Sequence, residues 1–365
     1  MTTFRLARLI QLSFTIAVCL CGCSRRAVSQ DTLDQQLLKA ASNGDVSAVQ
    51  LLLRQGARVG AKNESRWTAL DEAASQGNRA IVALLLETKI ERRIKNEAVF
   101  WAAGNEPLVK MSPSGEIHIQ DSVLNPVDKS YTDVVRLLLD KGAEIEARGE
   151  NSETPLIRAA SHGETGVVKL LLDRGAEIGA KDQGGGTALH GAACECAAID
   201  MPDTLDAVKL LLDRGANIET KDDEGATPLI VAAGWGRTEN VGFLLKKHAN
   251  IEAKDNDGNT ALMISARGSA YPTAETVKFL LDHGCKIDAK NKEGKTALML
   301  ASSENGTDQI EIVKLLLEKG ANIRAEDIHG NTALSLAEKG DHPDVIEGTH
   351  AKLLSTLKNA MAAAQ

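Results

Sequence analysis

A short phrase returns along this chain: a threonine followed by Ala-Leu or Pro-Leu, at Thr154, Thr187, Thr227, Thr260, Thr296 and Thr332. Successive copies stand 33, 40, 33, 36 and 36 residues apart. A second phrase keeps the same beat, a leucine-rich stretch closing on Gly-Ala at Gly56, Gly142, Gly175, Gly215 and Gly320, with Lys89, His248 and Gly284-Cys285 as variants. A unit this short cannot bury its own apolar face. Copies must therefore stack, and the product is an array with one thin continuous core.

The stretch Asp222–Lys254 shows the grammar of one copy. Asp222-Asp223-Glu224-Gly225 is turn chemistry, an Asx side chain to bond the backbone and a glycine free to take positive φ. Thr227-Pro228 opens a helix, with a hydroxyl to cap orphan N–H groups and Pro where no donor is lost. Leu229 to Ala233 make a short first helix, whose alanines let a neighbour come close, and Gly234-Trp235-Gly236 ends it. Glu239 to Lys247 make a second helix, acid first and lysines last, as the macrodipole prefers. Thr-Pro-Leu-x-x-Ala-Ala and Leu-Leu-Leu-x-x-Gly-Ala at this period resemble the ankyrin repeat. The resemblance spans Asp34–Lys358 and implies an all-α ankyrin-repeat solenoid of about nine helix-turn-helix units.

The N-terminus does not follow this grammar. Arg5 and Arg8 precede an apolar run, Leu9–Leu20, that is short for a membrane span and has a signal-peptide layout. It ends in Leu20-Cys21-Gly22-Cys23, which resembles the bacterial lipoprotein processing box. That resemblance implies removal of residues 1–22, lipidation of Cys23 and retention at the membrane; Ser24 resembles the outer-membrane-sorted class. An ordinary secreted or periplasmic protein and an uncleaved anchor stay open as alternatives. Residues 23–33 are then a tether, and its part Ser24–Gln30 reaches about 25 Å at most.

In chain order, Leu33–Lys62 reads as a polar-faced capping repeat and Asn63–Arg93 as the second. Lys89 takes the usual glycine place, so that helix is expected to end differently. The third repeat is degenerate, with Glu97–Ala103 and Thr132–Asp140 as its helices and an insertion at 105–130 expected to form a β-hairpin from Leu108–Met111 and Glu116–Gln120. Extra residues at Cys194–Asp203, Gly268–Thr273 and Ser303–Thr307 fall, like the hairpin, between first and second helices. Together they would form a lip along one edge, either a working surface or tolerated surface drift. Asp327–Lys358 is expected to close the array, with residues 359–365 as a tail.

No Ser/His/Asp set, phosphate-binding glycine loop or HExxH run is present, so neither an enzyme nor a bound cofactor is expected. His190 with Cys194 and Cys196 has a superficial look of metal ligands, and a local disulfide is a further alternative. The default is an unpaired thiol couple with no metal, because the resemblance makes His190 a structural side-chain-to-loop donor. Lys181, Lys221, Lys254 and Lys290 recur at one repeat position and are expected as solvated finger stems. A net charge of −8 speaks against nucleic acid, which asks for a basic face. No small-molecule substrate is expected either.

What remains is surface for a protein partner. The resemblance implies that partners are held by the finger tips and the inner face of the first helices. Carried onto this chain, that gives Trp67, Glu150, Asn151, Glu153, Asp223, Glu224, Trp235, Asn256, Asp257, Asn259 and Arg267. The acidic middle of this set calls for a basic patch on the partner, and Trp67 and Trp235 are the candidate anchors. The alternative role, assembly or stabilisation of an envelope enzyme, would use the insertion lip. The least expected one is an enzyme with its site there.

Overall fold

The structure is a computed structural model that describes residues 29–104, 109–111, 117–119, 131–149, 151–194, 204–268, 273–303, 308–339 and 349–363. The leader, Cys23, Glu150, Cys196, most of the expected lip and the end of the tail lie outside the described residues. The chain divides into two compact units, one made of residues up to Ala73 with Ala80–Ile90, the other of Ala74–Arg79 with Glu91 onward.

Helices α1 (Gln30–Ser42), α2 (Val46–Arg54), α3 (Ala69–Ser75) and α4 (Arg79–Leu86) carry the first unit. Its entry is locked by Asp34, 2% exposed, whose carboxylate accepts from the Arg58 backbone N–H at 2.7 Å and from Gln30 Nε2 at 2.9 Å. Burial works against that charge, but these bonds and the Arg58 guanidinium outweigh it and hold the carboxyl below its usual range. At the other end, α4 stops without a left-handed residue. The Thr88 hydroxyl donates to the Leu85 carbonyl at 2.7 Å, and Lys89 is not among the positive-φ residues.

The second unit begins with α5 (Arg92–Ala103), a strand pair β1 (Val109–Met111) and β2 (Ile117–Ile119), and α6 (Tyr131–Asp140). The strands run antiparallel, Val109 opposite Ile119. Pairs of a short and a longer helix follow: α7 (Pro155–Ser161) with α8 (Thr165–Asp173), α9 (Ala188–Cys194) with α10 (Leu205–Asp213), and α11 (Pro228–Gly234) with α12 (Thr238–Lys246). The pairs α13 (Ala261–Arg267) with α14 (Ala274–Asp282), α15 (Ala297–Ser303) with α16 (Gln309–Glu318), and α17 (Ala333–Lys339) with α18 (Thr349–Ala363) complete it.

The first helices of the pairs, α5 to α17, stack in one row and the second helices, α6 to α18, in another. Helices α7, α11, α13, α15 and α17 start on a threonine hydroxyl, as where Thr154 Oγ1 accepts from Ile157 N–H at 3.2 Å, with Pro155 in the first turn, whereas α5 starts at Glu91 without a side-chain cap. Alanines bring the rows together: Ala159, Ala160, Ala192, Ala193, Ala232 and Ala233 are wholly buried. Leu171, Leu211 and Leu244, also wholly buried, fill the space between layers, each contributing roughly 2 kcal/mol of apolar burial.

Between pairs the chain runs out into fingers, and these are hydrogen-bonded to one another. Backbone N–H groups of Gln183, Asp223, Asn256, Lys292 and Ile328 donate to carbonyls of Asn151, Gly184, Glu224, Asp257 and Glu293 in the preceding finger, at 2.8–3.0 Å. A second ladder uses the lysines expected as solvated stems. Each ammonium instead donates to the same position one repeat on, Lys181 to the Lys221 carbonyl at 2.8 Å and Lys221 to that of Lys254 at 2.6 Å. The ladder continues with Lys254 to Lys290 at 2.8 Å and Lys290 to Glu326 at 2.7 Å, and Arg148 begins it by reaching Lys181. A third ladder is acidic: Glu146, Glu219, Glu252 and Asp288 accept the N–H of Glu177, Asn250, Lys286 and Asn322.

On the opposite edge, where short and long helices connect, the ties are individual. Asn240, 3% exposed, donates to the Ala192 carbonyl and Thr204 Oγ1 at 3.3 and 3.1 Å. Asp308 Oδ2 accepts from the N–H groups of Thr273 and Ala274 at 2.6 and 2.7 Å, capping α14 from the next repeat, and Gln309 Nε2 reaches the Arg267 carbonyl at 2.7 Å.

Candidate functional site

The finger ladder and the row of short helices meet at an angle, and the second unit holds a groove of about 900 Å³ between them. Its floor comes from residues that face inward on α7, α9, α11 and α13. Ile157, Ile230, Val231 and Ile264 give an apolar bed, with Gly191 and Gly234 as bare backbone. Those glycines follow from crowding. A Cβ on Gly191 would stand 2.6 Å from Ser161 Oγ, and one on Gly234 2.8 Å from Ile264 Cγ2. Trp235, directly after α11, is 36% exposed and lines the groove.

The rim is acidic. Glu153, Asp182, Asp222, Asp223, Glu224 and Asp255 line the groove, against Arg267 alone among lysines and arginines there. Three of these carboxylates also build their fingers: Asp182 Oδ1 accepts from Gly184 and Gly186 N–H, Asp222 Oδ1 from Ala226 and Asp255 Oδ1 from Asp257 and Asn259. Their charges are fixed in place, so the field in the groove is preorganised. Glu153 lies 3.7 Å from the Arg158 guanidinium, which is itself buried and packs over the Phe100 ring at 4.4 Å and the Trp101 ring at 4.8 Å.

His190, 5% exposed, sits at the groove's inner wall. Its Nδ1 accepts from the Thr187 backbone N–H at 3.2 Å, so its Nε2 carries the proton and donates to the Ala226 carbonyl at 3.2 Å, one finger on. Burial pushes its pKa down, which keeps the ring neutral and in this bridging tautomer. Cys194 Sγ donates to the Gly191 carbonyl at 3.2 Å; Cys196 lies outside the described residues. Among the described residues no group of three or more His, Cys, Asp or Glu is placed to hold a metal.

The eleven residues singled out from sequence do not all share this place. Glu153, Asp223, Glu224, Trp235 and Arg267 line the groove together. Asn151, Asn256 and Asp257 are exposed finger tips beside it, and their peptide groups carry the backbone ladder. The Asn256 side chain donates to the Asp223 carbonyl at 2.8 Å. Asn259 is only 8% exposed; its amide donates to Asp255 and its oxygen accepts from Asn291, so its side chain is engaged within the frame. Trp67 belongs to the first unit, half-buried, and Glu150 lies outside the described residues.

The sequence pattern missed the inward position four residues after each capping threonine, occupied by Arg158, Gly191, Val231 and Ile264. One helical turn from the position after Ala-Ala, which was singled out, leads to it. The turn aspartates were passed over because their Asx role hid their second use as rim charges.

Comparison with known proteins places this arrangement. A family model described as "Ankyrin repeats (3 copies)" matches residues 17–111, 127–222, 196–291 and 269–348. The chain is similar to a "Transient receptor potential cation channel subfamily A member 1 homolog" of Caenorhabditis elegans, 32% identical over 124 residues. That match takes in 34% of this chain and 9% of the relative, so only a small part of the relative's length is shared. The crystal structure of a human ASB11 ankyrin repeat domain superposes with a TM-score of 0.50 at 24% identity, over 62% of this chain and 92% of that one, a likeness of fold.

Proposed function

The chain belongs to the ankyrin-repeat family, and on that footing we propose that it is an envelope-tethered adaptor whose groove holds a basic segment of another protein. An array of this kind is a protein–protein interaction module. The observation that carries the finer reading is the pairing of an acid-rimmed groove with an apolar floor and the exposed face of Trp235. A cationic segment laid there meets Asp223 and Glu224 from the fingers while an aliphatic or aromatic side chain settles on Ile264 and Trp235. Arg267 then sets polarity, repelling a base at the end of the groove it occupies.

The array is read as nine repeats with a hairpin insertion in the third; the eighteen helices among the described residues and the antiparallel strand register support this. The tether is read from Leu20-Cys21-Gly22-Cys23, whose likeness to the lipoprotein processing box supports an array held on the periplasmic side of an outer membrane.

The test is a photo-crosslinking residue placed at Trp235 in cells, with the adduct identified by mass. A single protein should be captured, the yield should fall when Asp223 and Glu224 are both changed to Lys, and it should recover when the matching bases of the captured protein are changed to Glu. Capture that ignores these reversals would sink the groove assignment. Intact mass and membrane fractionation of wild type against Cys23→Ser tests the tether separately.

A further inference from the structure

The three finger ladders end at the last finger in a way that none of the earlier fingers shows. In each finger from the second to the fifth rung, the turn glycine is closed against the next finger. A Cβ on Gly185, Gly225, Gly258 or Gly294 would stand 2.8, 2.7, 3.0 or 3.0 Å from the backbone nitrogen of Asp223, Asn256, Lys292 or Ile328. Gly330 has the same positive φ, 73°, and nothing within 4 Å of that point. The carbonyl of His329 occupies the place from which Gly184, Glu224, Asp257 and Glu293 each accept a bond, and none of the described backbone donors reaches it. Beside it Ile328 is 65% exposed, the most exposed of the large hydrophobic residues described.

The side chains at this edge also break the pattern. Glu326 stands where Lys181, Lys221, Lys254 and Lys290 stand in earlier repeats, and Arg324 where Glu219, Glu252 and Asp288 stand. A carboxylate cannot donate to the next carbonyl, and a guanidinium cannot accept the next N–H. A further finger of the standard kind, whether from this array or from a second copy of the chain, would meet two mismatched rungs. The edge therefore keeps its open backbone acceptor and its exposed aliphatic group while refusing its own repeat.

We propose that this edge, Glu326–Gly330, takes an extended segment of a partner protein as its next rung, distinct from the groove. The segment supplies a backbone N–H to the His329 carbonyl, an apolar side chain over Ile328 and a lysine or arginine to Glu326, a mode in which main-chain pairing gives affinity and flanking side chains give selectivity.

The experiment pans a phage-displayed library of short random peptides on the purified full chain, with the Ile328→Asp chain as the subtractive target, and measures binding of the enriched peptides by fluorescence anisotropy. Enriched peptides should pair a base with an apolar residue. Their affinity should drop about tenfold or more with Ile328→Asp and by a similar factor with Glu326→Lys, and a glutamate replacing the peptide's base should restore binding to Glu326→Lys. Trp235→Ala should leave it unchanged, which separates this edge from the groove. Circular dichroism of each variant confirms the fold. The proposal is overturned if no peptide distinguishes wild type from Ile328→Asp, or if binding follows Trp235. It is overturned as well if sedimentation shows self-association that Ile328→Asp abolishes, since the occupant is then a second copy.

Discussion

The two edges of the second unit are held together by different means. Along the fingers, the same bonds recur from repeat to repeat, with the acidic one missing where Gly179 takes its place, so most joints have the chemistry of the last. Along the helix connections, each joint has its own solution: a buried Asn240 at one, an Asp308 cap and Gln309 at another. A copied joint tolerates almost nothing in the space between fingers and almost anything beyond it. An individual joint concentrates its stability in one or two polar side chains, and leaves the loop beside it free to vary in length, which is where the insertions fall.

That contrast can be broken at both edges. The largest effect is expected from Gly225→Ala, where a left-handed φ of 77° and a Cβ 2.7 Å from the Asn256 nitrogen act together. Strain and overpacking sum to roughly 2–4 kcal/mol, read as a lower urea midpoint. Gly330→Ala has the strain without the neighbour and should cost only about 1 kcal/mol. Equal losses for the two would mean that contact between fingers contributes nothing.

Next comes Asp308→Ala, which strips the carboxylate from two N–H groups and should cost about 2 kcal/mol. Hydrogen exchange should quicken at Thr273 and Ala274 while Asn256 and Lys292 keep their protection; a loss spread evenly over the fingers would contradict the independence of the edges.

In the first unit a deep carboxylate, Asp34, ties the entry of the array. Because the folded pKa of Asp34 lies below its unfolded value of about 3.9, its stabilisation is fully present above that value and is lost as pH falls through the lower folded one. Asp34→Asn should flatten the acid limb of the pH–stability curve. His190 gives a limb with the same sign at higher pH: its pKa is depressed by burial, so stability declines once pH drops below about 6.5, where the unfolded ring takes up a proton. The smallest effect is expected from Lys254→Met, a few tenths of a kcal/mol for one exposed rung, measurable only as a change in local exchange at Lys290.

The repeat architecture was legible because packing writes it into the sequence at fixed intervals: capping Thr, close-packed Ala-Ala, closing Gly. The ladders were not, because a lysine whose stem is exposed looks the same on paper whether its ammonium meets water or the carbonyl of Lys290. Of the groove, the exposed acids and Trp235 could be picked out by their departure from the repeat. Its floor could not, since Val231 and Ile264 read as ordinary core residues until the geometry shows them half-open. Asn259 erred the other way. It varies between repeats as a contact residue would, yet its variation answers to Asp255 and Asn291.

The lysine ladder also has a direction, since each repeat donates a hydrogen bond forward and accepts one from behind. A duplicated repeat inserted mid-array brings both halves of that exchange with it and restores every joint it interrupts. Added after Glu326, the same copy finds no donor waiting. The gene for such a chain can lengthen by copying from its interior.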